Sequence, residues 1–381
     1  MTGNRRPFRP IHAPAAASCP LCGAPGPIAR ALGACLACIR AGRKEPLHLA
    51  ARQRRAARDA FGLPEQAPRT GSIRCQRCFR RCAPEPGAPG FCGVRKASVE
   101  RSPGPVTGGD NEAPLHWYYD PLPTNCVADW VCAAGSGAAS APGSPGWHSR
   151  LLGNSPSNLA VFAYGCTFDC LYCQNSSCRE VAAITDQATV ADLARAVDQR
   201  TACVCFFGGD PTPQIPLALA AMERAARARS FPVCWETNGA MSPRLLERMI
   251  EISLRTDGTI KLDLKAWHRA LHQALTGAPR RRVWDNLKLV ISRARERREP
   301  PLAVVSTCLV PGYIDQQEVF DIASAVAALG RDTPYALLAF HPNYLMSDLP
   351  TTSRRQAEDC LLAARRAGLT RVRIGNLHLL A

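Results

Sequence analysis

The stretch that most constrains this chain is residues 159–175, LAVFAYGCTFDCLYCQN. Its first part, residues 159–164, is a continuous apolar run, the pattern of a strand buried on both faces and so of a parallel sheet. The run empties into a loop carrying Cys166, Cys170 and Cys173 in the spacing C-x3-C-x2-C. Three thiolates in so short a loop can converge on one metal centre, but they cannot complete a four-ligand shell. One coordination position is left open for chemistry. The bland alternative is a zinc or disulfide site closed by a fourth, distant cysteine.

A chain of 381 residues, 46% hydrophobic, has ample material for a large core. It has no apolar run of about 18 residues that would cross a membrane. Its N-terminus has basic residues but no apolar core of roughly 7–15 residues, so it reads poorly as a signal peptide. The 19 cysteines, many in C-x2-C pairs and without an export signal, point to metal binding in a reducing cytoplasm rather than to disulfides. Charge is uneven. Residues 1–101 hold 19 Lys and Arg against 5 Asp and Glu, and the rest hold 28 against 26, so +14 of the net +16 lies in the first quarter of the chain. Such a face can bind nucleic acid or an acidic protein. The plainer reading is a solubilising surface.

In chain order, residues 1–18 read as a disordered tail. Residues 19–62 form a zinc-ribbon-like region with a basic helix: Cys19, Cys22, Cys35 and Cys38 are spaced C-x2-C-x12-C-x2-C, which suits a closed structural zinc site. Residues 63–134 are a second cysteine-rich region, with Cys75, Cys78, Cys82 and Cys92 spaced C-x2-C-x3-C-x9-C. That set can hold zinc or an auxiliary iron–sulfur cluster, and structural zinc is the reading preferred. Cys126 and Cys132 fit no site of their own. Residues 135–157 are rich in Gly, Ser and Pro and read as a linker or insertion. From residue 158 to 381 strands and helices alternate. Strands are expected at 159–165, 203–208, 233–237, 259–264, 302–309, 335–340 and 371–375, with helices near 189–200, 215–229, 243–255, 281–298, 316–329 and 354–367. Six such units make an α/β fold, an incomplete TIM-like barrel, whose functional residues gather at the C-terminal strand ends.

The C-x3-C-x2-C loop resembles the signature of the radical S-adenosylmethionine (SAM) superfamily. The resemblance implies a (β/α)6 radical SAM barrel, in which Cys166, Cys170 and Cys173 hold a [4Fe-4S] cluster whose fourth iron is chelated by SAM. Reductive cleavage of SAM would then give a 5'-deoxyadenosyl radical that abstracts hydrogen from a substrate. Tyr172 matches the aromatic residue that lies by the adenine. FFGGDPTPQ, with Gly208, Gly209 and Asp210, is similar to the family's Gly-Gly-Glu turn with Asp in place of Glu. WETNG (Glu236, Thr237, Asn238) and KLDLK (Asp263, Lys265) resemble the pyruvate formate-lyase activating-enzyme group, where the acid, the Thr and the Asp form a monovalent cation site beside SAM. Carried over, that site would be Glu236, Thr237 and Asp263. FHPNYLMSDLP is similar to the AmmeMemoRadiSam branch, and His341 there matches a histidine near the adenosyl group. The resemblance further implies a one-electron reductant of flavodoxin or ferredoxin type and a partner protein as substrate. RNA docked on the basic N-terminal region is the alternative, and a non-catalytic zinc-binding interaction protein is a third reading.

Overall fold

The computed structural model describes residues 15–97, 106–107, 110–122, 126–146 and 156–381. The apolar run at its centre forms β2 (Ser157–Ala163), flanked upstream in the chain by β1 (Leu115–Pro121). Six further strands follow: β3 (Thr201–Gly208), β4 (Val233–Thr237), β5 (Ile260–Asp263), β6 (Ala303–Leu309), β7 (Tyr335–Ala339) and β8 (Val372–Gly375). They lie side by side in chain order in one eight-stranded sheet. β2 to β8 are parallel, and β1 pairs antiparallel with β2 as one edge. The other edge is β8, so the barrel is incomplete, as expected from the alternation of strands and helices.

Among the described residues the helices of six residues or more are α1 (Glu45–Ala60), α2 (Val190–Arg195), α3 (Ile215–Ala225), α4 (Pro243–Arg255), α5 (Arg269–Thr276), α6 (Arg281–Arg293), α7 (Gln316–Leu329) and α8 (Arg354–Arg366). Local sequence starts several of them: Thr189 and Asp192 form a capping box on α2, and the Asp315 carboxylate accepts from the Glu318 N–H at the start of α7. Alternation along the strands divides the molecule. On β3, Ala202, Val204 and Phe206 are buried, and Val204 and Phe206 join the main core with Trp235 of β4. Phe207, Glu236, Lys261, Asp263, Ser306, Cys308 and Leu338 point the other way and line a cavity.

Four segments differ from expectation. Ala16–Ser18 pairs with Pro25–Ile28 in a hairpin, and the Ala15 N–H donates to the Asp348 carbonyl, so the expected tail of 1–18 is ordered from Ala15; residues 1–14 lie outside the described residues. β1 lies within the region read as cysteine-rich, although LHWYYDP alternates buried and less buried positions as an edge strand should. The expected linker holds a short helix (Ala133–Ser136) and is tied down at residues 144 and 146, where Ser144 Oγ and the Gly146 N–H donate to Asp257 Oδ2 at 2.5 and 3.0 Å. Its residues 147–155 lie outside the described residues. Just before it, Ala128, Val131 and Cys132 pack on Val304 inside the sheet's cavity face. α5 was not anticipated at all; it is short, and it packs against α1.

The cysteine-rich N-terminal region is docked on the barrel. The Ala29 N–H donates to the Tyr313 hydroxyl, the Arg30 N–H to Asp348 Oδ2, and Arg40 pairs with Asp315 and Glu318 at 2.9 Å. Several arginines of the basic stretch are therefore spent internally. Arg54 Nε donates to the Asp169 carbonyl, Arg58 lies over the Phe91 ring at 3.6 Å, and Arg80 Nε donates to the Thr167 carbonyl. No helix among the described residues is long and apolar enough to cross a membrane.

Candidate active site at the C-terminal strand ends

β2 ends in the cysteine loop, and the way the chain leaves the strand is set by two glycine contacts. Gly165 adopts φ +82°, a conformation L side chains rarely take. Gly209, at the end of β3, lies so close that a Cβ there would stand 2.2 Å from the Gly165 carbonyl oxygen. The Gly209 N–H donates to the Ala163 carbonyl and the Asp210 N–H to the Gly165 carbonyl, so the Gly-Gly turn is stitched to the loop. Cys166 Sγ lies 3.4 Å from the Gly209 carbonyl and accepts from the Phe168 N–H at 3.4 Å.

A buried ionic knot fixes the rest of the loop. Asp169, 1% exposed, accepts from Arg179 Nε and Nη2 at 3.1 and 2.8 Å, and Arg58 Nη1 stands 3.6 Å from its second oxygen. Burial would raise the Asp169 carboxyl, but Arg179, Arg58 and Arg54 override it and hold it below the usual range. Arg179 also sits 4.3 Å over the Tyr344 ring. Neither Asp169 nor Arg179 stands out in the sequence, because the knot they form is completed by Arg58 of α1 and by Tyr344, both more than a hundred residues away. Cys178 was passed over too: it is fully buried, and its thiol interacts with Cys173, which together with Arg179 brings the Cys173 thiol down to about 5 although burial opposes it.

One cavity of about 280 Å³ collects most of the candidates. Cys166, Cys170, Tyr172, Cys173, Gly208, Gly209, Glu236, Thr237, Asn238, Asp263 and Lys265 all line it. The Tyr172 hydroxyl is buried with no hydrogen-bond partner, and Lys265 Nζ stands 5.8 Å from its ring centroid. Asn238 donates to Cys166 Sγ at 3.6 Å and to Thr167 Oγ1 at 3.0 Å.

Two candidates point elsewhere. Asp210 is turned inward, accepting from the Thr212 and Asn238 N–H groups and from Thr237 Oγ1 at 2.8 to 2.9 Å. It organises the WETNG turn rather than facing the cavity, and burial raises its carboxyl despite these bonds. His341 is exposed and is not among the lining residues; only its carbonyl faces the loop, accepting from Gln174 Nε2. The sequence match in HPNYLMSDLP could not reveal which way the ring points.

The three residues expected to hold a cation, Glu236, Thr237 and Asp263, line the same cavity, and each has a partner of its own. Thr237 is bonded to Asp210, and Asp263 takes Lys265 Nζ at 2.6 Å and Ser306 Oγ at 2.8 Å. Glu236 takes Lys261 Nζ at 3.1 Å. Lys261 also lies 3.0 Å from Cys126 Sγ and 2.9 Å from Cys205 Sγ, and the donor atoms of Cys126, Cys205 and Glu236 lie within 4.8 Å of one another. Burial would lower Lys261, but these three groups raise it, so an ammonium supplies the positive charge. Cys126, which fits no site in the sequence, belongs to this cluster, of which Glu236 and Lys261 line the cavity.

The remaining cysteines form two further groups. Cys19, Cys22, Cys35 and Cys38 bring their sulfurs within 4.8 Å of one another. Cys75, Cys78, Cys82 and Cys92 surround a smaller cavity beside Thr167.

Residues 160–323 match the Radical SAM superfamily. This segment, under half of the chain, is similar to the radical SAM domain. A solved domain of pyruvate-formate lyase-activating enzyme from Bacteroides vulgatus is 18% identical over 46% of this chain and 99% of its own, with a TM-score of 0.38. SuiB of Streptococcus suis bound to S-adenosylmethionine is 15% identical over 57% of this chain, with a TM-score of 0.45, and only 49% of its length is covered. A radical SAM methyltransferase from Sphaerobacter thermophilus is likewise 15% identical over 57% of this chain and 67% of its own, with a TM-score of 0.41. No curated protein matches the sequence. The matched segment runs from β2 into α7, and the cysteine loop, the Gly-Gly turn, WETNG and KLDLK all fall inside it.

Proposed function

We propose that this chain is a radical SAM enzyme of the activating-enzyme type, working in the cytoplasm on a partner protein and fed by a one-electron carrier of flavodoxin or ferredoxin class. The donor set fits the cofactors: the three loop thiolates face one cavity, where Cys308 of β6 is the other lining cysteine, and the orphaned Tyr172 hydroxyl lies in its wall. A [4Fe-4S] cluster held by Cys166, Cys170 and Cys173 would supply one electron to the sulfonium of SAM, breaking a carbon–sulfur bond to give methionine and a 5'-deoxyadenosyl radical.

The protein's own residues bind, orient and exclude water. Gly208 and Gly209 let the backbone approach a ligand as closely as side-chain-free atoms permit. Lys261 and Lys265, each paired with a carboxylate, offset the negative charge that would otherwise repel a ligand carboxylate, which makes a separate monovalent cation unnecessary. Tyr172, next to Cys173, offers an aromatic wall to the adenine. The substrate in this reading is a segment of a larger molecule. The internal use of Arg40, Arg54, Arg58 and Arg80 favours a protein over RNA as that molecule. Cys19, Cys22, Cys35 and Cys38 hold structural zinc in this reading.

The observation that carries the proposal is the meeting of the three loop cysteines with the Gly-Gly turn at one cavity. The test is anaerobic reconstitution with iron, followed by a 5'-deoxyadenosine assay under reduction. The intact chain should release 5'-deoxyadenosine, Cys170→Ala should release none, and Cys178→Ala should retain activity. Equal iron loss in Cys178→Ala and Cys170→Ala, with no SAM cleavage by the intact chain, would mean a closed four-thiolate centre and sink the reading.

A further inference from the structure

The cysteine groups differ in how far apart they hold their sulfurs, and that distance discriminates between metals. In the ribbon, Cys22 and Cys35 are 3.6 Å apart and Cys19 and Cys38 are 3.9 Å apart, with all four sulfurs within 4.8 Å of one another. One zinc ion imposes this spacing, since thiolates at ~2.3 Å from a common tetrahedral centre stand about 3.8 Å from each other.

Cys75, Cys78, Cys82 and Cys92 behave differently. All four line one small cavity, yet among the described residues no three of their sulfurs lie mutually within 4.8 Å. Two thiolates on the same zinc cannot be more than about 4.6 Å apart, twice the ~2.3 Å bond. A single ion therefore cannot reach these sulfurs where the fold puts them. An iron–sulfur cube can, because each thiolate binds a different iron and the ligands spread over the corners. Cys166, Cys170 and Cys173 are spread in the same way: they too form no triplet within 4.8 Å.

We propose that Cys75, Cys78, Cys82 and Cys92 hold a second [4Fe-4S] cluster, in place of the structural zinc their sequence spacing favoured. The walls of the cavity suit such a group. Cys75, Cys82 and Cys92 are at most 9% exposed, and the Phe91 N–H donates to Cys82 Sγ at 3.4 Å. The Phe91 ring, held by Arg80 at 3.4 Å and Arg58 at 3.6 Å, shields it from solvent. Arg77, Arg80 and Arg95 bring positive charge to a group that four thiolates make negative. The set is also fixed to the matched segment. Arg80 Nε donates to the Thr167 carbonyl at 2.5 Å, and a Cβ on Gly165 would lie 2.6 Å from the Cys92 carbonyl oxygen. Thr167, the residue after Cys166, is part of the cavity wall, so the two centres are back to back.

The site stands on its own sulfurs and can be tested without SAM chemistry. The full chain carrying Cys166→Ser, Cys170→Ser and Cys173→Ser is purified without oxygen, reconstituted with iron and sulfide, and analysed for iron, zinc and electron paramagnetic resonance after reduction. The expected result is about four irons and one zinc per chain, with the signal of a reduced cubane. A second variant, Cys75→Ser with Cys82→Ser, keeps the first loop intact and should lose about half of the wild-type iron while its zinc stays unchanged. An iron-free triple variant carrying about two zincs would overturn the proposal. If the wild type makes no 5'-deoxyadenosine while the triple variant still holds about four irons, the function proposed above fails and this site stands.

Discussion

Replacing Asp169 by Asn is the sharpest probe of how the cysteine loop is held. The change is nearly isosteric, so it leaves no cavity and isolates the charge. Asp169 is 1% exposed, its two hydrogen bonds to Arg179 are charge-assisted, and Arg58 approaches its other oxygen at 3.6 Å. The side chains of Arg179 and Arg58 are 4% and 3% exposed, so the variant would leave guanidinium charge buried without its counter-ion. Removing one partner of a buried pair typically costs about 3–5 kcal/mol. In a domain of this size that corresponds to a fall in melting temperature on the order of 10 °C. The assay is thermal unfolding of the iron-free and the reconstituted protein, with iron per chain measured alongside. Iron content should fall too, because Asp169 lies between two of the ligands. Adding Arg179→Gln to the variant should recover part of the loss, since the double change removes the stranded charge. A melting temperature within about 2 °C of the unmodified chain would refute the idea that this knot fixes the loop.

Two further outcomes follow from named contacts. His272, 2% exposed, donates from Nδ1 to the Ala278 carbonyl at 2.8 Å, and burial pushes its pKa down from 6.5 to about 4. The unfolded chain therefore takes up this proton at a higher pH than the folded one. The contribution is complete above pH 6.5 and declines as pH falls towards 4, by roughly 3 kcal/mol in all at ~1.4 kcal/mol per pH unit. Denaturant titrations across this range should show His272→Gln with a shallower pH slope, and an unchanged slope would count against the assignment. Gly209→Ala would press a methyl onto the Gly165 carbonyl at 2.2 Å and onto Cys178 at 2.8 Å, contacts that backbone cannot relieve cheaply. Iron content should drop severalfold while circular dichroism stays close to that of the unmodified chain; full iron occupancy would mean the turn and the loop are not coupled.

Much of the site was legible before any coordinates, because its residues follow strands whose apolar runs are unmistakable. β2, β3, β4 and β6 are continuous buried segments, and a parallel sheet puts whatever follows each of them on the same rim. Spacing alone was enough to nominate Cys166, Cys170 and Cys173, since three ligands within eight residues need no tertiary contact to converge. β1 was readable in principle from its alternation, but the cysteines around it drew attention to metal binding instead.

What the amino-acid order determined, then, was local: the strand–loop–helix repeat, the thiol spacings and the glycines that let loops pass closely. Only the folded chain decided which groups meet. It placed Arg58 of α1 on Asp169, put the Lys261 ammonium among Cys126, Cys205 and Glu236, turned Asp210 inward and left the His341 ring outside. It also spread the sulfurs of Cys75, Cys78, Cys82 and Cys92 too widely for one ion. The physical reason is that charge pairing and metal choice depend on distances of a few ångströms between residues far apart in the chain, and a linear spacing does not encode those distances.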